Sequence, residues 1–314
     1  MIEVRNLVKN YGNVKAVRDI SFTVENGEIL GFLGPNGAGK TTTLRVITSY
    51  LSPTSGNVFV DNLNVLDNSM EIRSLIGYLP EMNPLYHEMN VYEFMEFVAN
   101  VRKFEKSKFK SRLSEVIELC GLKGVIHKSI SELSKGYCQR VGLAQAIFHD
   151  PEILILDEPT VGLDPNQIAE IRKLIKNLGK EKTVIISSHV LQEIQATADR
   201  MIIINEGEIV ANGTIEDLMS GFKGKTRLIL ELKNATEESI SKIQSVNSEI
   251  SLADIKTQGD SIVASLEYPN SLDPRQNIFD YALENKWTIL EMSRHKTSLE
   301  DVFRNLTIEG GADA

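Results

Sequence analysis

Apolar and polar positions change rhythm along this chain, and the changes mark its elements. Residues 2–8 and 20–24 alternate apolar with polar, the period of half-buried strands, and Asn26-Gly27 punctuates the second. Between them lies Val8-Lys9-Asn10-Tyr11-Gly12. Residues 29–33 are continuously apolar and predict a buried strand, whereas Thr43-Leu44-Arg45-Val46-Ile47 has helical spacing. After a turn at residues 52–56, residues 58–61 read as a strand, and 76–81 as another that ends at Pro80. Helical periodicity then dominates residues 90–150. Val91, Phe94, Phe97, Val98 and Val101 form one stripe, expected in the core. Leu113, Val116, Ile117 and Cys120 form a second, with Gly121 as its C-cap. Residues 131–140 open another helix. Continuous apolar strands return at 153–157 and 183–189, the pattern of a parallel sheet covered on both faces, and 201–208 predict a strand pair.

The composition shifts near Ser220-Gly221-Phe222-Lys223-Gly224, which predicts a domain boundary. Beyond it the pattern gives a strand at 225–233 and a helix at 235–246. Strands follow at 250–257 and 261–268, then a helix at 272–286 and a strand at 287–293. This β-α-β-β-α-β order is the split order of ferredoxin-like folds. Trp287 is expected in the core. A final short helix from Leu299 is predicted to start at Ser298, with Asp301 three residues on. The expected organisation is an α/β domain over 1–220, with a helical subdomain at about 87–150, and an accessory α+β domain over 221–314.

The most specific chemistry lies in Gly34-Pro35-Asn36-Gly37-Ala38-Gly39-Lys40-Thr41-Thr42, between a strand and a helix. Glycines there let the backbone wrap tightly and aim N–H groups at phosphate oxygens, and the helix N-terminus adds donors. Lys40 is placed for β- and γ-phosphates, and the Thr41 hydroxyl for Mg²⁺. Asp157 and Glu158 end the strand at 153–157, where doubly wound sheets place ligands. Asp157 is suited to hold Mg²⁺, and Glu158 to orient or deprotonate an attacking water. His189 ends another such strand, within reach of a γ-phosphate or of that water. Tyr11, just upstream of the loop, can stack on a base. His87, His127, His149 and His295 lack such placement.

Composition narrows the setting. The chain has 314 residues, 42% hydrophobic and 25% charged, as in globular proteins, with a net charge of −9 that argues against a nucleic-acid partner. No apolar run reaches the roughly 18 residues of a membrane span, and Ile2-Glu3-Val4 begins as a strand rather than a leader. Cys120 and Cys138 lack metal-ligand spacing and are expected as free thiols in a reducing cytosol.

Taken in order, these motifs resemble the ATP-binding subunit of an ABC transporter, over about the first 220 residues. Residues 34–42 match that family's Walker A loop, and 153–157 its Walker B strand with Glu158 as catalytic glutamate. Residues 133–140 match its signature, Val161-Gly162-Leu163-Asp164 its D-loop, His189 its switch histidine and Tyr11 its A-loop aromatic, with Val17 a further nucleotide contact. The resemblance implies a P-loop NTPase cassette with an antiparallel β subdomain and an inserted helical subdomain. It implies ATP and Mg²⁺ as cofactors, with Lys40, Glu158 and His189 catalytic and Thr41, Glu81 and Asp157 at the metal. It further implies a head-to-tail pair of cassettes, in which Ser134, Lys135, Gly136 and Asp164 meet the nucleotide across the dimer. Motion would pass through the helical block to membrane permeases at the cytoplasmic face.

Two departures point to the ABC-2-type exporter subgroup, including drug-resistance and gliding motility-associated subunits. Glu81 stands where the family usually has Gln, and the signature reads Leu133-Ser134-Lys135-Gly136-Tyr137. The alternative is a soluble ABC ATPase acting on a macromolecular complex. A single cassette, and fewer than a hundred residues between Thr42 and Leu133, count against it.

Overall fold

The computed structural model describes residues 1–221, 225–245, 247–269, 272–295, 299–300 and 303–304. The expected helix start at Ser298 and Asp301, and residues 222–224 of the expected boundary, lie outside them. The chain divides into two compact units, the first running from Met1 to Ile215 and the second beginning at Glu216.

Strands β1 (Ile2–Tyr11), β2 (Val14–Val24), β4 (Ser55–Val60) and β5 (Leu63–Asn64) make an antiparallel sheet in the order β2-β1-β4-β5. The second sheet contains β3 (Ile29–Leu33), β6 (Ile76–Leu79), β7 (Ile153–Asp157), β8 (Thr183–Ser188), β9 (Arg200–Asn205) and β10 (Glu208–Gly213). Its order is β10-β9-β3-β8-β7-β6, parallel except for the β10 edge. The unbroken apolar runs are explained by burial: all five residues of β3 and of β7 are buried. Each buried Leu or Ile stabilises by about 1.5–3 kcal/mol. Helix α1 (Lys40–Ile47) packs through Leu44, Val46 and Ile47 into a core shared with Ile2, Val58, Phe32 and Ile155 of the two sheets.

Helix α2 (Ser69–Leu75) leads into β6, and the helical block follows it with α3 (Val91–Val101), α4 (Lys106–Leu119) and α5 (Lys135–Ile147). Asn90 starts α3 through a capping box: its side chain accepts the Glu93 N–H at 2.9 Å, and Glu93 accepts the Asn90 N–H at 3.0 Å. The expected core stripe on α3 is partly right. Val91, Phe94 and Val98 are buried, but Phe97 is 38% and Val101 65% exposed. Phe97 instead packs edge-on against the exposed Tyr86 ring. Gly121 takes φ 66 after α4, the left-handed cap expected of it. Helices α6 (Pro165–Leu178) and α7 (Leu191–Gln195) follow β7 and β8, and α8 (Ile215–Gly221) starts where the second unit begins.

The second unit holds β11 (Lys225–Lys233), α9 (Glu237–Ser241), β12 (Ser251–Gln258), β13 (Ser261–Pro269), α10 (Arg275–Glu284) and β14 (Thr288–His295). The antiparallel order β12-β13-β11-β14 realises the split β-α-β-β-α-β arrangement. Leu228, Leu230, Leu266, Ile278 and Trp287 share its separate core.

One half-buried imidazole makes the first unit acid-sensitive. His149 Nε2 lies 3.2 Å from the Ile76 carbonyl; burial, then the Arg102 charge, push its pKa down to about 4. Unfolded, it titrates near 6.5, so its contribution is complete above that pH and is lost as pH falls towards 4. The loss is at most about 3 kcal/mol. Urea midpoints measured at pH 7 and pH 5 should fall further for the parent than for His149→Gln. Equal falls would contradict this account.

Candidate functional site at the phosphate-binding loop

The parallel register brings the C-terminal ends of β3, β7 and β8 to one edge, and the candidate residues converge there. A cleft of about 350 Å³ is lined by residues 36–42, with Ala16, Glu81, Glu158, Val161 and His189. The loop conformation depends on Gly39, which takes φ 104 and whose added Cβ would sit 2.5 Å from the Ala16 carbonyl oxygen. Both facts exclude a side chain.

Lys40 is buried and donates to the carbonyls of Gly34 at 2.7 Å and Pro35 at 3.2 Å. Its Nζ also lies 3.2 Å from Glu158 Oε1, joining the loop to the end of β7. On the other carboxylate oxygen, Oε2, Glu158 meets His189 Nδ1 at 2.9 Å. Glu158 takes φ 50, a left-handed conformation that costs a residue with Cβ about 1–3 kcal/mol. Ser187 holds it in place: its hydroxyl accepts the Glu158 N–H at 3.0 Å and donates to Asp157 Oδ1 at 2.6 Å.

Asp157 is fully buried, and its Oδ2 has no hydrogen-bond partner. Burial is the largest influence on this carboxyl and raises its pKa; the Ser187 and Thr41 hydroxyls oppose it, and the charges of Glu81 and Glu158 add to it. A bare buried oxygen, an adjacent hydroxyl and crowded carboxylates fit a divalent cation. Among the described residues no group of three His, Cys, Asp or Glu forms a closed metal cage.

Other expected site residues are placed differently. Val17 does not line the cleft: its side chain is fully buried in the core, and its neighbour Ala16 lines the cleft. Tyr11 is 46% exposed outside the cleft lining, with Lys9 Nζ 5.4 Å from its ring centroid. Asp164 is occupied as the N-cap of α6, accepting the N–H groups of Asn166 and Gln167, both at 3.0 Å. Ser134 caps α5, accepting the Tyr137 N–H at 3.4 Å, and Lys135 lies against Gly162. None of Ser134, Lys135, Gly136 and Asp164 lines the cleft of its own chain. Two residues at the site, Ala16 and Ser187, were not expected from the sequence. Only Ser187 carried a signal, as a polar residue ending an apolar strand.

Comparison with known proteins agrees with this geometry. Residues 17–161 match the family model described as ABC transporter. The bacitracin transport ATP-binding protein BcrA of Bacillus licheniformis is 35% identical over 313 residues, covering 99% of this chain and 98% of that protein. The linearmycin resistance ATP-binding protein LnrL of Bacillus subtilis (strain 168) is 31% identical, covering 98% of each. Among solved structures, the dimeric bacterial ABC transporter cassette MJ0796 superposes with TM-score 0.64 at 27% identity, over 68% of this chain and 99% of that one. The same cassette in a post-hydrolysis state with ADP and Pi gives 0.63 at 26% identity, again over 68% and 99%.

Gly39→Ala should weaken ATP binding at least about tenfold, because the loop must leave its left-handed turn. Calorimetric titration with a non-hydrolysable ATP analogue measures this, and parental affinity would contradict the role given to the turn.

Proposed function

The chain belongs to the ABC transporter family as one of its ATP-binding, ATP-hydrolysing subunits, and from that premise we propose how its own residues serve a head-to-tail dimer that drives export. The observation that carries the reading is the convergence of Lys40, Glu158 and His189 in one cleft that the signature residues do not line. Bound triphosphate competes with Glu158 for Lys40, so nucleotide entry frees the carboxylate from its ion pair. Glu158 then orients the attacking water and takes its proton. His189, on the opposite oxygen, holds the carboxylate in line. Thr41 and Asp157 would hold Mg²⁺, with Glu81 lining the same cleft, and there it would supply positive charge against the phosphates. Ser134, Lys135 and Gly136 of a second cassette complete the site from across the dimer. Helix α5 directs its N-terminal donors there, as suits an anion.

Coupling to an ABC-2-type permease is supported by a second cleft of about 660 Å³ between the β6 region and the helical block. Exposed Tyr50, Met70 and Met82 lie there with Arg45, Arg73, Arg102 and Lys103, none of which is ion-paired among the described residues. In a chain of net charge −9 this local cationic, apolar surface suits a permease segment at the cytoplasmic face. No helix among the described residues is long and apolar enough to cross a membrane.

Glu158→Gln should keep ATP affinity and lower turnover by about 10²–10⁴-fold, because it preserves shape and removes the base. Steady-state hydrolysis at the parental rate would sink the assignment.

A further inference from the structure

A second carboxylate grips the Glu158 turn from behind. Glu193, half-buried on α7, accepts two hydroxyl protons at one oxygen: Oε2 lies 2.6 Å from Thr160 Oγ1 and 2.8 Å from Ser188 Oγ. Thr160 stands two residues after Glu158, and Ser188 immediately precedes His189. Both are buried, at 3% and 0% exposure. Ser188 Oγ in turn accepts the Val190 N–H at 3.0 Å, so His189 is bracketed on both sides.

The left-handed Glu158 needs such support, since strained backbone persists only where its surroundings over-determine it. Upstream, Ser187 holds the Glu158 amide. Downstream, the turn's own bonds are long, with Val161 N–H to Glu158 O and Leu163 N–H to Thr160 O both at 3.2 Å. The short Thr160–Glu193 bond is therefore the firm downstream anchor. The same carboxylate oxygen reaches the segment carrying His189. Glu158 and His189 come from different strands, yet they must keep a 2.9 Å contact.

We propose that Glu193 is a positioning residue for ATP hydrolysis, keeping Glu158 and His189 in register by accepting the Thr160 and Ser188 hydroxyls together. This rests on the reading that Glu158 and His189 serve the attacking water. What the position requires is an oxygen that accepts twice, rather than a negative charge. A glutamine carbonyl meets that requirement. Aspartate is one methylene shorter and does not reach both hydroxyls.

The test uses the full chain, comparing Glu193→Ala, Glu193→Gln and Glu193→Asp with Glu158→Gln as the control for the underlying site. Steady-state ATPase gives kcat and KM, and affinity for a non-hydrolysable ATP analogue reports the intact phosphate loop. Glu193→Ala should lower kcat about 10²-fold, the effect of a misplaced reacting group, with analogue affinity within about threefold of the parent. Glu193→Gln should recover kcat to within about tenfold of the parent, and Glu193→Asp should not. Thr160→Val combined with Glu193→Ala should be no slower than Glu193→Ala alone, as expected when both act through one bond. Parental kcat in Glu193→Ala overturns the proposal, as does equal impairment of the alanine and glutamine variants. A parallel loss of analogue affinity also overturns it, because the effect would then be general collapse. If Glu158→Gln hydrolyses ATP at the parental rate, it is the site reading that fails. If Glu158→Gln is slow while Glu193→Ala is not, only the Glu193 proposal fails.

Discussion

A buried ammonium and a buried carboxylate meet where the phosphate loop faces the end of a parallel strand. Lys40 and Glu158 are 6% and 4% exposed and stand 3.2 Å apart. Removing two such charges from water costs several kcal/mol each, and the pair persists only because further hydrogen bonds complete both groups. Lys40 has the carbonyls of Gly34 and Pro35, and Glu158 has His189. The rest of the architecture follows from this constraint. The parallel register of β3, β7 and β8 brings three chain ends to one edge, and their apolar flanks keep water away.

The geometry around that pair is held under strain. Glu158 is left-handed, Gly39 is strongly so, and the hydroxyls of Ser187 and Thr160 tie the turn to neighbouring carboxylates. Neutral hydroxyls suit this place. They orient carboxylates without cancelling the negative charge on which both cation binding and proton abstraction depend. The Asp157 carboxyl shows the opposing pressures, raised by burial and held back by Ser187 and Thr41.

Much of this was legible in the sequence, for identifiable reasons. A phosphate loop needs its glycines, its lysine and its hydroxyl in one contiguous run, because one turn of backbone does the binding. Continuous apolar runs announced the parallel strands, since both faces are covered. The split order of the second unit followed from period and turn residues alone. What stayed hidden depends on contacts between distant segments. Val17 falls inside and Ala16 at the cleft because of strand register, which the alternation near residue 17 did not specify. Phe97 and Val101 carry core-like chemistry but are exposed, Phe97 against Tyr86 and Val101 at a cationic cleft. Glu193 has no motif around it, and only the folded chain sets it against Thr160 and Ser188.

Ser134, Lys135 and Gly136 do not line the cleft of their own chain, and under the proposed head-to-tail pairing the loop at 34–42 is one half of an active site. The most direct test mixes two inactive variants in equal amounts: Lys40→Ala, with a broken loop but a sound signature, and Ser134→Arg, with a sound loop but a blocked signature. Each heterodimer then contains one complete site, and the mixture should recover about one quarter of the parental ATPase rate. A mixture no more active than its two components would contradict the composite site.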